Sequence, residues 1–498
     1  MRDCICGTCM SKIPKSAPST RGLETNSRSA ISLQLPTIGL GSVTNVTRTI
    51  IWGGRKWNFS GMSSDPSGNG KIGYSINGSL KRFESVYGGS AQYNDPTVAE
   101  RTMIANVMSG ISEFLPIEFE YKADFNDSII DVNLANSLFW SYQGFSPNVV
   151  GIGLPPGEYS DWTYDPVNPV KTSIYSDGCL YMNTNYAHAG HTNPGSWYYS
   201  VLLHEIGHAM GLAHPFDNGG VSTIMPGTSG RPAYPGKYRQ NDFIYTVMTY
   251  RLDESVYGSG GITSYGYNEN YGTIDVAALQ WLYGRADSSG NKTFELNPVS
   301  TRTWKALYDS SGNNTIDASG SSVAVIIDTR RANLSAKSTK AGGYVSTRRS
   351  NLKAGFLLSN PTYIKNIVGS NYNDLINSGW YTNTIDTGAG NNTVNAFPNT
   401  TVTCGSGSNT VNVHGFNVDI SSATFANVHK RKRAYKAIIV NRINKTVSLR
   451  RRRTGAVVGT FRNISSIKFK RRRKTTMARL YRIMRRRRRT VMNVKRFV

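Results

Sequence analysis

Histidine is scarce in this chain of 498 residues, which has seven in all. Three of them fall inside HEIGHAMGLAHP, His204 to Pro215. Residues four apart on a helix lie one turn apart on the same face. The imidazoles of His204 and His208 can therefore reach one ion at ~2.0–2.1 Å, the zinc–nitrogen distance. On a continuous helix His214 would sit about 15 Å along the axis from His204. Gly211 removes that obstacle, because glycine tolerates positive φ and lets the helix stop and the chain turn back. Three neutral imidazoles then form an open tripod with a position left for water, the pattern of catalytic rather than structural zinc. Glu205 projects at a different angle from its neighbour His204. It is placed to take a proton from a zinc-acidified water and deliver it to a leaving amine. The chemistry implied is metal-assisted amide hydrolysis. Histidines on an ordinary helix are the alternative, and their rarity and fixed spacing tell against it.

The surrounding pattern supplies elements to hold such a site. Thr97 to Leu115 repeats apolar residues near a 3.6 period (Val98, Met103, Ile104, Val107, Met108, Ile111, Leu115) and predicts a core-facing helix. KIGYSING (71–78), IEFEY (117–121), SIIDVNLAN (128–136) and CLYMN (179–183) read as strands. A second helix is expected from near Pro194 through WYYSVLLHEIGHAMG, and a third over TIDVAALQWLYG (273–284). Beyond Arg285 helical periodicity vanishes. Short Ile/Val/Thr runs alternate with Gly-Asn clusters in YDSSGNNTIDASG, IVGSNYNDLINSG, IDTGAGNNTVNA and VTCGSGSNTVNV, a repeat that predicts a β-roll or other β-solenoid. KAIIVNRI, KTVSLRR and AVVGTFRNISSIKF, within 436–469, also read as strands.

The net charge of +26 is concentrated at one end. Residues 430–498 hold 27 Lys or Arg and no acid, leaving 30 basic against 31 acidic residues in 1–429. A near-neutral body thus precedes a basic end, which reads either as a solvated tail or as a polyanion-binding segment with steep salt dependence. Five cysteines make no disulfide framework. Cys4, Cys6 and Cys9 form a C-x-C-x-x-C cluster open to metal binding, acylation or free thiols. No apolar run is long enough for a transmembrane helix. The first 30 residues lack a signal-peptide core.

His204, Glu205, His208, Gly211 and His214 together resemble the metzincin motif H-E-x-x-H-x-x-G-x-x-H. YTVMTYR supplies a candidate Met-turn, with Met248 34 residues after His214. Pro215 directly after the third histidine, and Tyr250 two past Met248, resemble the serralysin branch. GGRKW (53–57) is similar to the start of that branch's catalytic domain, and YGTIDVAALQWLYG to its closing helix. The resemblance covers roughly residues 50–415. It implies an α+β metzincin catalytic domain with a twisted mixed sheet and long helices over 49–285. Before it lies an N-terminal extension or pro-segment, 1–48. After it come a β-roll over 286–470 and a basic tail over 471–498. It implies one catalytic Zn2+ on His204, His208 and His214, Glu205 as general base, Tyr250 assisting the oxyanion and Met248 as a floor beneath the metal. The substrate would be protein, pairing with an edge strand expected within SIIDVNLAN.

The chain departs from the family pattern in its repeats. Asn314, Asn392 and Asn409 stand where the calcium-binding repeat has Asp, and an amide is a weaker ligand for a hard cation. Asp374 alone keeps an acid. One or two weak Ca2+ sites using Asp374 and the carbonyls of Gly369 and Gly388, or a metal-free roll held by Asn ladders, are both open at this point. The basic end also departs from the family. The leading expectation is a secreted zinc endopeptidase without an N-terminal signal peptide. The alternative is a non-enzymatic, virion- or particle-associated protein that binds nucleic acid or another polyanion through residues 430–498.

Overall fold

The computed structural model describes residues 46–57, 70–87, 91–146, 148–156, 178–187, 190–251, 266–288, 290–296, 303–330, 343–347, 354–382, 384–414, 417–429, 435–441, 446–451, 457–464 and 466–470. Nearly all of the expected N-terminal extension, with Cys4, Cys6 and Cys9, lies outside the described residues, as does the basic tail 471–498. The chain is mixed α+β with parallel-rich sheets. It divides into two compact units, the first up to Ser288 with Arg302–Tyr308, the second including Asp309–Arg331 and Gly343–Val498.

The first unit is built on a sheet of five strands: β1 (Gly70–Ile76), β2 (Ile117–Tyr121), β3 (Ile130–Ala135), β4 (Gly151–Gly153) and β5 (Cys179–Asn183), in the order β2-β1-β3-β5-β4. All pairings are parallel except β4 with β5. SIIDVNLAN is thus the origin of a central strand, β3, and its edges are taken by β1 and β5; the expected substrate-pairing edge does not lie there. Every residue of β3 is buried, as is usual for a central strand of a largely parallel sheet. Among the described residues the outer strands of this sheet are β2 and β4, and the three residues of β4 are too few for a period-two pattern to mark.

Among the described residues this unit holds the helices α1 (Gly78–Tyr87), α2 (Val98–Ser112), α3 (Ser137–Tyr142), α4 (Trp197–Ala209) and α5 (Thr273–Tyr283). Thr97 and Glu100 close a capping box at the start of α2. Met103, Ile104, Val107, Met108 and Ile111 form its buried stripe. Val98 is 82% exposed, so it does not belong to that stripe: as the first helical residue it precedes the turn that meets the core. The helices α1 and α3 were not expected from the sequence. At the start of α1, buried Asp131 accepts the backbone N–H of Gly78 and Ser79 at 2.9 and 2.8 Å, placing a carboxylate on a helix N-terminus. The short strand β7 (Trp304–Leu307) bridges to Asn268.

In the second unit the strands from β12 to β19 alternate between two sheets, each pairing in parallel with the strand two places on. One sheet runs β9 (Val325–Asp328), β13 (Leu375–Asn377), β15 (Thr393–Ala396), β17 (Thr410–Val413), β19 (Phe425–His429) and β23 (Ser466–Lys470). Its antiparallel neighbours beyond β9 are β10 (Gly343–Thr347) and β11 (Gly355–Leu358). The other runs β6 (Thr293–Glu295), β8 (Asn314–Asp317), β12 (Ile364–Val368), β14 (Thr384–Asp386), β16 (Thr400–Thr403), β18 (Val418–Ser421) and β22 (Val457–Arg462). Antiparallel β20 (Tyr435–Asn441) and β21 (Thr446–Arg451) complete it. The register stacks Ile327, Ile376, Val394, Val411 and Ala426 in one buried column, and Ile316, Ile367, Ile385, Val402 and Ile420 in the other. Each rung is too short to bury its apolar face alone, so stacking supplies the core.

Candidate metal centre

Helix α4 begins at Ser196, whose side chain caps the N–H of Tyr199, and runs to Ala209 with every residue from Tyr198 onward buried. A fully buried helix is ordinarily apolar all round. His204, Glu205 and His208 are instead 4%, 0% and 1% exposed. Burying polar groups costs several kcal/mol unless they are satisfied, on the order of 2–7 kcal/mol each without partners. Three such groups on one buried helix are costly for a helix whose only task is packing.

Gly211 ends α4 with φ of 94°, and a Cβ there would stand 2.5 Å from the carbonyl oxygen of Arg55. The turn is then clamped by residues 50–52. Trp52 N–H donates to Gly211 O at 2.9 Å, Ala213 N–H donates to Ile50 O at 3.0 Å, and Ile51 bridges Leu212. This returns His214, 2% exposed, to the other two rings.

The three rings converge on their Nε2 atoms. His204 and His214 Nε2 are 3.2 Å apart, and His208 and His214 Nε2 are 3.0 Å apart. Each Nδ1 faces an acceptor: Val247 O at 2.8 Å for His204, Leu212 O at 2.9 Å for His208, and Asp217 Oδ2 at 2.6 Å for His214. With Nδ1–H donating outward, three Nε2 lone pairs point at one another. Such an arrangement repels itself unless a cation sits between. A tetrahedral zinc with ~2.0–2.1 Å bonds holds its nitrogens about 3.4 Å apart, close to the observed separations. The donor set fits zinc. Burial, then the neighbouring His214, lowers the pKa of His204 to about 3, and the same causes with His204 added keep His208 well below its usual value. Both rings are therefore held neutral, as metal ligands must be. This is the one group of three or more His, Cys, Asp or Glu so arranged among the described residues.

Asp217 was not singled out in the sequence. Its spacing of three from His214 is common at turns and carries little signal. Burial raises its pKa, but the hydrogen bond and charge of His214 and the N–H of Gly219 outweigh that and leave it lowered. It thus stays a carboxylate behind the third ring.

Tyr250 Oη lies 3.0 Å from His214 Nε2, at the mouth of the trio. Phe216 stacks on His214 at 4.9 Å and 8°. Met248 is fully buried, its sulfur beside Gly207 of α4. Pro215 follows the third histidine, and its carbonyl accepts from Met225 N–H at 2.7 Å. The loop bearing Met248 is fixed from α5. Buried Asp275 accepts Thr246 Oγ1–H at 2.5 Å, Val247 N–H at 2.7 Å and Gly272 N–H at 2.9 Å. Strand β4 lies directly on Glu205: a Cβ at Gly151 would stand 2.7 Å from the Glu205 side chain. The clue to β4 was the apolar run VVGIGL between turn residues.

Asp374, Gly369 and Gly388 come together in the second unit, but the carboxylate of Asp374 is spent on its own chain. Its Oδ1 accepts Val325 N–H at 2.9 Å and Ser370 Oγ–H at 2.7 Å, and its Oδ2 accepts Ser370 N–H at 2.7 Å. Gly388 O accepts from Thr387 Oγ1–H at 3.1 Å. The equivalent side chains on later rungs do likewise: Asn392 Oδ1 accepts Asp374 N–H at 2.8 Å, and Asn409 Oδ1 accepts Asn392 N–H at 3.1 Å. These groups suit a hydrogen-bonded column and do not fit a calcium cage, which needs several free oxygens around one point.

No family model matches the chain. It is 31% identical over 213 residues to a serralysin C of Dickeya chrysanthemi, covering 39% of each chain. It is 28% identical over 218 residues to a serralysin of Proteus mirabilis, covering 41% of this chain and 40% of the relative. A metallopeptidase AprA of Pseudomonas marginalis is 25% identical over 334 residues, 63% of this chain and 61% of the relative. The chain spans about two-fifths of the length of the first two relatives. By these similarities it is serralysin-like.

Proposed function

We propose that this serralysin-like chain is a zinc-dependent endopeptidase. The observation that carries the reading is the convergence of three buried imidazoles with buried Glu205 beside them. His204, His208 and His214 hold the metal. Zinc held there supplies a water acidified to a pKa of about 7 and a Lewis acid for a carbonyl oxygen. Glu205, closed in by β4, would be the base for that water's proton and the acid for the leaving amine. Tyr250, at 3.0 Å from His214, donates its hydroxyl to the developing oxyanion. Met248 supports the rings from beneath.

The stacked second unit fits a β-roll whose Asn, Asp and Thr side chains take up the backbone N–H groups of neighbouring rungs, and this reading assigns it no calcium. The reading keeps the expected limits 49–285 for the catalytic domain and 286–470 for the roll as proposals, although Arg302–Tyr308 falls with the first compact unit. Extracellular action accompanies the reading. No helix among the described residues is long and apolar enough to cross a membrane. The non-enzymatic alternative rests on the basic residues of 430–498 alone and leaves a buried carboxylate beside three histidines without a task, so the enzymatic reading is preferred.

The test is casein hydrolysis by the full chain beside Glu205→Gln. The variant is expected to keep its zinc and lose activity by roughly 10²–10⁴-fold, the usual weight of general acid–base catalysis. Hydrolysis undiminished in Glu205→Gln would reject the mechanism.

A further inference from the structure

The segment 218–240, between the third histidine and the Met248 loop, contains no Asp or Glu but holds Arg231, Lys237 and Arg239. Its ends are pinned beside the metal centre. Met225 N–H is bonded to Pro215 O, and the position of a Gly230 Cβ lies 3.9 Å from the carbonyl of Phe216, whose ring stacks on His214. Asn241 Nδ2 donates to Pro232 O and Tyr234 O at 2.9 and 2.7 Å, while its Oδ1 accepts from Thr249, the neighbour of Tyr250. Met225 and Thr228 are buried and fix the middle of the segment. The loop is therefore a built wall next to the site.

What it presents outward is unusual. Val221, Ile224 and Tyr234 are 88%, 43% and 42% exposed. Arg231 and Lys237 are exposed and make no ion pair among the described residues. Each lies against a tyrosine: Arg231 over Tyr234 at 5.2 Å with a hydrogen bond of 2.8 Å to its hydroxyl, Lys237 over Tyr238 at 5.5 Å. These contacts hold the cations in place without neutralising them. The backbone is strained as well. Val221, Ser229 and Arg239 take positive φ of 60°, 51° and 55°, uncommon for residues other than glycine and a genuine outlier for β-branched Val221. Strain of this kind gathers at working surfaces.

We propose that Arg231 and Lys237 select polypeptide substrates that carry carboxylate side chains near the scissile bond, with Val221, Ile224 and Tyr234 adding apolar contact. This rests on the peptidase reading above and names its substrate class. The cations are carried by the loop pinned beside the site, and exposed charge there sets specificity and encounter more than gross affinity.

The experiment maps the bonds cut by the full-length protein in a mixed peptide library, read by mass spectrometry, with zinc per chain measured in parallel. Asp and Glu are expected to be enriched on one side of the cleaved bonds, by roughly fivefold per favourable charge, the upper end for an exposed ion pair. The enrichment shrinks in ~1 M salt, where charges are screened within about 3 Å. Arg231→Gln with Lys237→Gln abolishes it, and Arg231→Glu with Lys237→Glu replaces it by enrichment of Lys and Arg. Zinc content stays unchanged in both, as does cleavage of a neutral peptide. Cleavage without acidic preference, or a preference unmoved by the double reversal, overturns the substrate class and leaves the peptidase reading standing. Failure of the native protein to cut any peptide overturns both.

Discussion

Three imidazoles in one place are only a ligand set if each ring is held in the right tautomer. Here every Nδ1 has an acceptor, and for His214 that acceptor is a carboxylate, Asp217, at 2.6 Å. A carboxylate behind a ligating histidine orients the ring and raises its basicity, and losing it typically costs ~10–100-fold in metal affinity. Asp217→Asn is therefore expected to weaken zinc binding by about that factor in competition with a chromophoric chelator. Unchanged affinity would show that the 2.6 Å contact has no part in holding the metal. His204, Glu205, His208 and His214 were legible because helical geometry converts a spacing of four into a shared face and Gly211 offers the turn. Asp217 was not, because its partner is fixed by the turn after the helix and not by any period.

At the scale of elements, the site depends on how α5 grips the loop before Met248. Asp275 joins the N-terminus of α5 to Thr246 and Val247, and the Val247 carbonyl in turn accepts from His204. Burial raises the Asp275 pKa to about 7, although the hydrogen bonds from Thr246, Val247 and Gly272 act in the opposite direction. An acid that is harder to ionise folded than unfolded loses stability for the fold as pH rises. Below about pH 4 both states keep the proton, and between about 4 and 7 only the unfolded state releases it. Above 7 the full penalty, ~4 kcal/mol, is present. The unfolding free energy of the native protein relative to Asp275→Asn should thus fall across pH 4–7 and then level off. A difference that stays flat would contradict this assignment. The main elements could be read from the sequence, α2 from its 3.6 period and the strands β1, β2, β3 and β5 from their β-prone runs. The three residues of β4 could not. Nor could the position of β3 in the middle of the sheet, because strand order is decided by crossover packing that no local pattern records.

For the whole molecule, composition alone misleads. A charge of +26 describes the last residues and not the unit that carries the histidines. The second unit follows a repeat of 17–18 residues, visible in the register Asn377, Asn395, Asn412, whose amides bond rung to rung at 2.6 and 3.0 Å. That repeat was legible as Gly-Asn clusters. The direction of the side chains at Asn392 and Asn409, inward to the next backbone, was not, since calcium ligation and a hydrogen-bonded column use similar residues. The central claim concerns the first unit, and titrating zinc into the chelator-stripped full-length protein tests it most directly, with bound metal and casein hydrolysis followed together. The account predicts that hydrolysis rises with zinc and saturates at one equivalent per chain, and that His208→Ala shows neither tight binding nor activity. Hydrolysis that proceeds without zinc, or that survives in His208→Ala, would contradict it.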